Sequence, residues 1–274
     1  MSDNLLPDKN LKSIVVEVCC FSIESCIAAE LGGAKRIELC ASIYEGGTTP
    51  SAGLIKLAKQ KTSIEIHAMI RPRGGDFCYS EDEILVMQED IRIAKVLGCD
   101  GIVLGILQKD GKVNVAQTKV MVDLAKPMPV TFHRAIDMTS DYEEALENII
   151  QAGCDRILTS GQKNTAMEGI EALKNIVKQA NGRIQIMAGS GVNAQNTCSL
   201  IHTGVDALHL TGKTSRDSEM VYRKEGIVMG GLSEVPEYEI VYSDVEKIRV
   251  VVNCLPQMQI FHNLSNATQK QIGL

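Results

Sequence analysis

The sequence lacks an excess of basic residues. It carries 28 Lys and Arg against 34 Asp and Glu, which gives a formal net charge of −6 over 274 residues. A chain of this charge has no general positive field that would attract nucleic acid or an anionic membrane surface. We therefore expect no nucleic-acid partner, and any site for an anion must be local.

Long apolar runs are also missing, as are the usual zinc motifs. No stretch approaches the roughly 20 apolar residues of a membrane-spanning helix, and MSDNLLPDKN at the start has no hydrophobic signal-peptide core. Nine cysteines are present without a C-x-x-C or H-E-x-x-H pattern. We therefore expect no membrane partner and interpret the cysteines as reduced thiols of a cytoplasmic protein.

No proline-rich or serine-rich linker divides the chain, and strand-like and helix-like segments alternate along it. Helix starts are predicted at Ser80, which forms a capping box with Glu83, and at Thr49-Pro50, an N-cap followed by proline. The predicted strands are 14–19, 36–40, 64–70, 101–105, 129–133, 156–160, 184–188 and 206–210. The predicted helices are 22–31, 49–60, 80–97, 115–125, 140–151, 165–180 and 194–202.

An internal repeat supports this alternation. The segments LGGAKRIEL, LGCDGIVLG, AGCDRILTS and TGVDALHLT each place a glycine at a helix end, a polar residue two positions on, and then a strand. Four such βαβα quarters predict one (β/α)8 TIM-type barrel with a C-terminal extension. We assign 1–13 to a flexible N-terminus, 14–255 to the barrel, with a loop or hairpin inserted before a last helix, and 256–274 to a tail.

Alternate residues of a strand point to the same side, so the sequence indicates which residues face the inside of the barrel, here called inward parity. Polar residues with inward parity near the C-terminal strand ends are candidates for an active site, because active sites of such barrels lie at that end. One of these loops, RPRGGDF after the third strand, is too rich in charge and glycine for a mere connection. Two glutamates could instead only neutralise arginines inside the barrel. The candidate catalytic residues, if the protein is an enzyme, are Glu17, Glu38, Arg71, His133 and His209.

The loop after the seventh strand contains Gly189, Ser190 and Gly191. Its backbone N–H groups suit an anion, as in the phosphate sites that many barrels build after strands seven and eight. A tight glycine turn without a ligand is the alternative interpretation.

Sulfur ligands also share inward parity, at the ends of the first three strands. Cys19, Cys40 and Met69 offer two thiolates and a thioether, which favour Cu(I) over hard cations. Buried cysteines also pack as small hydrophobic residues, and spacing alone favours that alternative.

Several motifs resemble one known family. EVCCFSIESC, EGGTTPSAGL, MIRPRGGDFCYS, PVTFHRAID and TSRDSEM together are similar to the CutC copper-homeostasis family from about Val16 to Arg249. The resemblance implies a cytosolic (β/α)8 barrel that binds Cu(I), with the family's two copper-linked cysteines at Cys19 and Cys40. The G-S-G after strand seven departs from the family's usual glycine triplet.

Three functional hypotheses follow. The first is a Cu(I)-binding homeostasis protein with copper as its partner. The second is an enzyme acting on a small anionic molecule, held by Arg71 and Gly189–Gly191, with His133 or Glu17 as acid or base and Glu38 as its partner. The third is a scaffold whose tail mediates assembly, and we expect a homo-oligomer from the length of that tail.

Overall fold

The computed structural model describes residues 14–229 and 235–255. The flexible N-terminus expected at 1–13 and the tail expected at 256–274 lie outside these residues, and so does the assembly role predicted for that tail.

Eight parallel strands close into a barrel, which confirms the predicted fold. Each strand pairs with the next one in the chain, and the eighth pairs with the first, so the sheet has no open edge. The strands are β1 Val15–Cys20, β2 Arg36–Leu39, β3 Glu65–Met69, β4 Gly101–Leu104, β5 Val130–Phe132, β6 Arg156–Thr159, β7 Gln185–Gly189 and β8 Ala207–Leu210.

Helices alternate with these strands on the outside of the barrel, and the main hydrophobic core lies between the two layers. Ser22 caps the first helix, and the capping box of Ser80 and Glu83 is present. The helices are α1 Ile23–Leu31, α2 Ala52–Lys61, α3 Glu81–Val96, α4 Val115–Ala125, α5 Tyr142–Ala152, α6 Ile170–Ala180, α7 Thr197–Ile201 and α8 245–255.

The predicted start of the second helix at Thr49 is wrong. Ser51 is the N-cap, and its hydroxyl accepts the N–H of Leu54 at 3.1 Å. The Thr49 hydroxyl instead accepts the N–H of Arg71 at 3.0 Å, and the Thr49 N–H donates to the Arg71 carbonyl at 2.9 Å. Thr49 therefore ties the loop after β2 to the end of β3.

Two helices are shorter than the pattern predicted. The helix expected over 165–180 begins at Ile170, and the one expected over 194–202 covers only Thr197–Ile201. Residues 166–169 form turns before α6, and the N–H of Ala166 donates to the Ser190 carbonyl at 3.0 Å, in the loop after β7.

The repeated glycines have the backbone conformation that the repeat predicted. Their φ angles lie in the left-handed region, which favours glycine at a helix end. The values are +85° at Gly33, +78° at Gly98, +88° at Gly153 and +88° at Gly204.

Each aspartate of the repeat precedes one strand and forms a hydrogen bond with the backbone at the start of the neighbouring strand. The carboxylate of Asp100 accepts the N–H of Ile66, and the carboxylate of Asp155 accepts that of Val130, at 2.9 and 2.8 Å. Asp206 bonds the N–H of Ile186 in the same way at 2.9 Å. Each aspartate thus fixes the start of the preceding odd-numbered strand.

The predicted insertion after β8 is a hairpin. Its strands, β9 Lys213–Asp217 and β10 Glu239–Ser243, are antiparallel. The hairpin is anchored on α1, where Arg216 pairs with Glu24 at 2.7 Å and the N–H of Ser243 donates to the Ser25 hydroxyl at 3.1 Å. Within 14–229 and 235–255, no helix is both long and apolar enough to span a bilayer.

Candidate functional site

Strands β1, β2 and β8 are neighbours and bring distant residues together inside the barrel. The register places Glu17 opposite Arg36 on β2 and opposite His209 on β8, and it places Cys19 opposite Glu38. All five side chains are buried. As expected from their inward parity, these residues lie next to one another inside the barrel.

Two thiols, those of Cys19 and Cys40, belong to this cluster. The Sγ atoms of Cys19 and Cys40 are 3.7 Å apart, and Cys40 Sγ lies 3.6 Å from an oxygen of Glu38. Met69 packs in the same small apolar cluster, with Phe21 at its edge. The three sulfur residues singled out in the sequence are therefore grouped in one place.

A histidine faces the thiols with a carboxylate behind it. The Nδ1 atom of His209 is 2.8 Å from Glu17, and its Nε2 atom is 3.7 Å from Glu38. Cys19, Glu38 and His209 each present one ligand atom within 4.8 Å of the others. A carboxylate that holds the second ring nitrogen is the usual way to aim a metal-binding histidine.

Glu17 and His209 each stabilise the charged form of the other. Burial opposes ionisation of Glu17, but the hydrogen bond from His209 and the charge of Arg36 hold the pKa of Glu17 well below its usual range. Burial likewise opposes a charged His209, but the charge of Glu38 and the hydrogen bonds to Cys19 and Glu17 raise the pKa of His209 well above its ordinary value. This pair therefore favours an ionised Glu17 and a protonated His209 ring.

The remaining groups of the cluster favour their protonated forms. The hydrogen bond to Cys40, together with burial, raises the pKa of Cys19 well above its ordinary value, and burial raises the pKa of Cys40 to about 12. Burial also raises the pKa of Glu38, partly offset by the charge of His209. One buried oxygen of Glu38, Oε1, has no hydrogen-bond partner among the described residues.

A loop covers Cys40 and is held down by Arg71. The φ angle of +95° at Gly47 favours glycine, and a Cβ there would lie 3.1 Å from the Cys40 sulfur, a tight contact. The Arg71 guanidinium donates to the carbonyl oxygens of Glu45 and Gly47 at 2.7 and 2.8 Å, and to that of Gly75 at 2.8 Å. The EGGTTP and RPRGGDF motifs therefore act together over the sulfur pair.

The barrel interior holds further polar groups, which were not among the candidate site residues predicted from the sequence. The Arg36 guanidinium is bonded to Glu17, so this glutamate does neutralise an arginine, as one alternative predicted. Arg156 donates to Thr131 at 2.9 Å. Burial lowers the pKa of His67 to about 3, which keeps that ring neutral.

His133 lies in a different group, with Phe77 and Arg71. Its ring centroid is 4.9 Å from that of Phe77, and the Arg71 guanidinium carbon is 5.1 Å from the same Phe77 centroid. Burial, and then the charge of Arg71, lower the pKa of His133 to about 3. The five candidate catalytic residues thus fall into two groups: Glu17, Glu38 and His209 beside the thiols, and Arg71 and His133 around Phe77.

A groove of about 790 Å³ opens beside this second group. Phe77 lines it together with residues of the loops after β4 and β5, among them Leu107, Arg134 and Met138. Arg134 is tied to Asp137 at 2.8 Å and to the Ser160 hydroxyl at 2.8 Å.

The Gly189–Gly191 loop adjoins His209. Gly189 pairs with His209 across the sheet. Ser190 has φ +79°, and its hydroxyl donates to the carbonyl of Asn164 at 2.6 Å. Ser190 therefore occupies a left-handed position, and its side chain bonds to protein.

Sequence reasoning left Arg36, Gly47 and Phe77 out of the candidate set. The pairing of Arg36 with Glu17 follows from strand register, which the alternation of side chains along one strand does not give. Gly47 and Phe77 lie in the EGGTTP and RPRGGDF motifs, which the sequence singled out. The contact of Gly47 with Cys40 and that of Phe77 with His133 are visible only in the structure.

Comparisons with known proteins agree with this architecture. Residues 14–214 match the CutC family. The chain is 47% identical to a family protein CutC of Bacteroides fragilis, over 89% of this chain and 98% of the relative. It is 44% identical to the copper homeostasis protein cutC homolog of Mus musculus, over 86% and 88%.

A solved structure is similar as well. The crystal structure of a CutC protein from Streptococcus agalactiae superposes with a TM-score of 0.69 at 36% identity, over 72% of this chain and 98% of that one. The family match and both curated relatives extend over most of the barrel. The chain belongs to the CutC family.

Proposed function

We propose that this protein serves copper homeostasis by binding Cu(I) between Cys19 and Cys40. The names of its relatives refer to copper homeostasis. The observation that carries the proposal is the 3.7 Å separation of the two sulfurs. The pair lies under a loop at the end of the barrel where the strands end, and a reducing compartment such as the cytoplasm keeps the two thiols free to bind metal.

The sulfur separation favours a bent site over a linear one. With metal–sulfur bonds of about 2.3 Å, two sulfurs on one ion lie about 4.6 Å apart in a linear site and about 4 Å or less at trigonal or tetrahedral angles. The observed 3.7 Å matches the bent arrangements and so calls for a third ligand.

His209 is the best-placed third ligand. Its Nδ1 is held by Glu17, and its Nε2 faces Cys19 and Glu38. Met69 is an auxiliary candidate because its side chain packs in the same cluster as both cysteines. A set of two thiolates and an imidazole suits a soft or borderline ion.

The Cys-Glu-His grouping also supports a second candidate, a divalent ion such as Zn²⁺. The specific observation is the buried, unpartnered oxygen of Glu38 beside the thiols. A hard carboxylate ligand is more usual for Zn²⁺ than for Cu(I).

Titration with Cu(I) under anaerobic conditions, with a competing chelator, tests the proposal. We expect one tightly bound Cu(I) per chain, lost in the double variant Cys19→Ser/Cys40→Ser. Because the pKa values of both thiols are raised, uptake at pH 7 should release about two protons.

The matched control is Cys99→Ser/Cys154→Ser, which also removes two buried cysteines whose pKa burial raises to about 12. This control should bind Cu(I) like the unaltered protein. Unchanged copper stoichiometry in the Cys19/Cys40 variant would exclude the proposed site, and displacement of bound Cu(I) by equimolar Zn²⁺ would favour the divalent candidate.

A further inference from the structure

The groove beside Phe77 and the buried groups behind it supply no ligand to the proposed copper site. Arg71 and His133 are 5% and 4% exposed, and both contact the ring of Phe77. Phe77 also lines the groove of about 790 Å³. Its ring is therefore the boundary between an open groove and two buried nitrogen donors.

The tautomer of His133 is set by its neighbours. Its Nδ1 atom accepts the backbone N–H of Ala135 at 3.2 Å, which places the proton of the neutral ring on Nε2. That Nε2 is buried and has no hydrogen-bond partner among the described residues. In this tautomer His133 presents a hydrogen-bond donor at Nε2.

The position of this ring is fixed by a glycine. A Cβ on Gly105 would lie 2.5 Å from two ring atoms of His133, so only glycine leaves space for the imidazole there. The ring also makes an edge contact with Phe132, at 6.2 Å between centroids. The unpartnered donor is consequently held in one orientation.

Arg71 supplies a positive charge next to this donor. Its terminal nitrogens bond only to carbonyl oxygens, and in the described part of the chain no carboxylate pairs with it. Among the described residues, its buried Nε has no hydrogen-bond acceptor. A buried guanidinium without a counter-ion favours binding of an anion.

We propose that this part of the barrel mouth is a binding site for a small organic anion, a carboxylate or phosphate with an apolar body. The anionic head binds Arg71 and the Nε2–H of His133 once the Phe77 ring moves aside. The body occupies the groove against Phe77, Leu107 and Met138. This site is separate from the copper site and does not depend on the proposed function.

Calorimetric titration at pH 7 with benzoate, phenyl phosphate and the neutral isostere benzamide tests the site. We expect at least one of the two anions to bind and benzamide to bind at least about tenfold more weakly, because a hydrogen bond to a charged group is lost. Whichever anion binds more tightly identifies the head group. Absence of binding by both anions, or equal binding of benzamide, would overturn the proposal.

Paired variants locate the site on His133. His133→Asn retains an acceptor for the Ala135 N–H but has no donor at the Nε2 position, and should weaken anion binding about tenfold. His133→Gln restores a donor near that position and should recover part of the affinity. His202→Asn, at an exposed histidine after α7, should bind like the unaltered protein. Equal weakening by His133→Asn and His202→Asn would contradict the assignment.

Discussion

At the residue scale, the most consequential contact is between Glu17 and its two cationic partners. Arg36 and His209 both bond to this fully buried carboxylate. Breaking a buried ion pair by removing one member leaves an uncompensated charge, which is far more costly than removing both members. Glu17 therefore links the stability of the barrel to the orientation of His209.

We expect Glu17→Gln to lower the free energy of unfolding by about 3 kcal/mol, because Arg36 then remains charged and buried. Arg36→Met alone should cost less, since the charge of His209 still faces Glu17. Urea denaturation of both single variants and of the double variant measures the coupling. Strictly additive losses in the double variant would show that the pair is not coupled.

Parity along the strands identified Glu17, Glu38 and His209 because an alternation of two is a local property of the chain. The division of the candidates into two groups was not accessible in this way. It depends on which strands are neighbours around the barrel and on how the loop carrying Phe77 folds back over His133. Inward parity and the family resemblance set Cys19 and Cys40, the proposed copper ligands, apart from the other cysteines, but their 3.7 Å separation is a tertiary property.

At the element scale, the aspartates of the repeat explain a pattern that the sequence showed without its cause. Gly98, Gly153 and Gly204 end helices as predicted, and the aspartate two positions after each glycine binds the first part of the preceding odd-numbered strand. The repeat was visible because both roles are local in sequence. The false N-cap at Thr49 had the same residue types but a tertiary partner, the backbone of Arg71, which no local pattern reveals.

Asp155→Ala should lower the free energy of unfolding by about 1–2 kcal/mol, because the N–H of Val130 loses its acceptor at the start of β5. Asp155→Asn keeps an acceptor oxygen in the same place and should cost less. Thermal and urea unfolding of the two variants give the comparison. If both variants lose the same stability, the charge matters and the hydrogen bond does not.

At the scale of the whole molecule, the barrel buries two neutral histidines, and this makes its stability sensitive to acid. His67 and His133 have folded pKa values of about 3, against roughly 6.5 in an unfolded chain. The unfolded state therefore takes up protons that the folded state does not, so stability is complete above pH 6.5 and decreases as the pH falls towards 3.

Between pH 7 and pH 5 each of these histidines should lower the free energy of unfolding by about 2 kcal/mol. His133→Asn should reduce the acid-induced loss by that amount, measured by urea denaturation at both pH values. His202→Asn, which alters an exposed ring, should leave the loss unchanged. A His133→Asn protein with the full loss would mean that this ring does not remain neutral in the fold.

Arg71 fastens the loop over Cys40, and it is also the cation beside His133 and Phe77. One guanidinium thus takes part in both of the proposed binding equilibria. Any displacement of Arg71 towards an incoming anion would loosen its hold on the carbonyls of Glu45 and Gly47, and with it the cover over the thiols. Anion binding would then change the affinity for the metal ion, and metal binding would change the affinity for the anion by the same factor, as thermodynamic reciprocity demands.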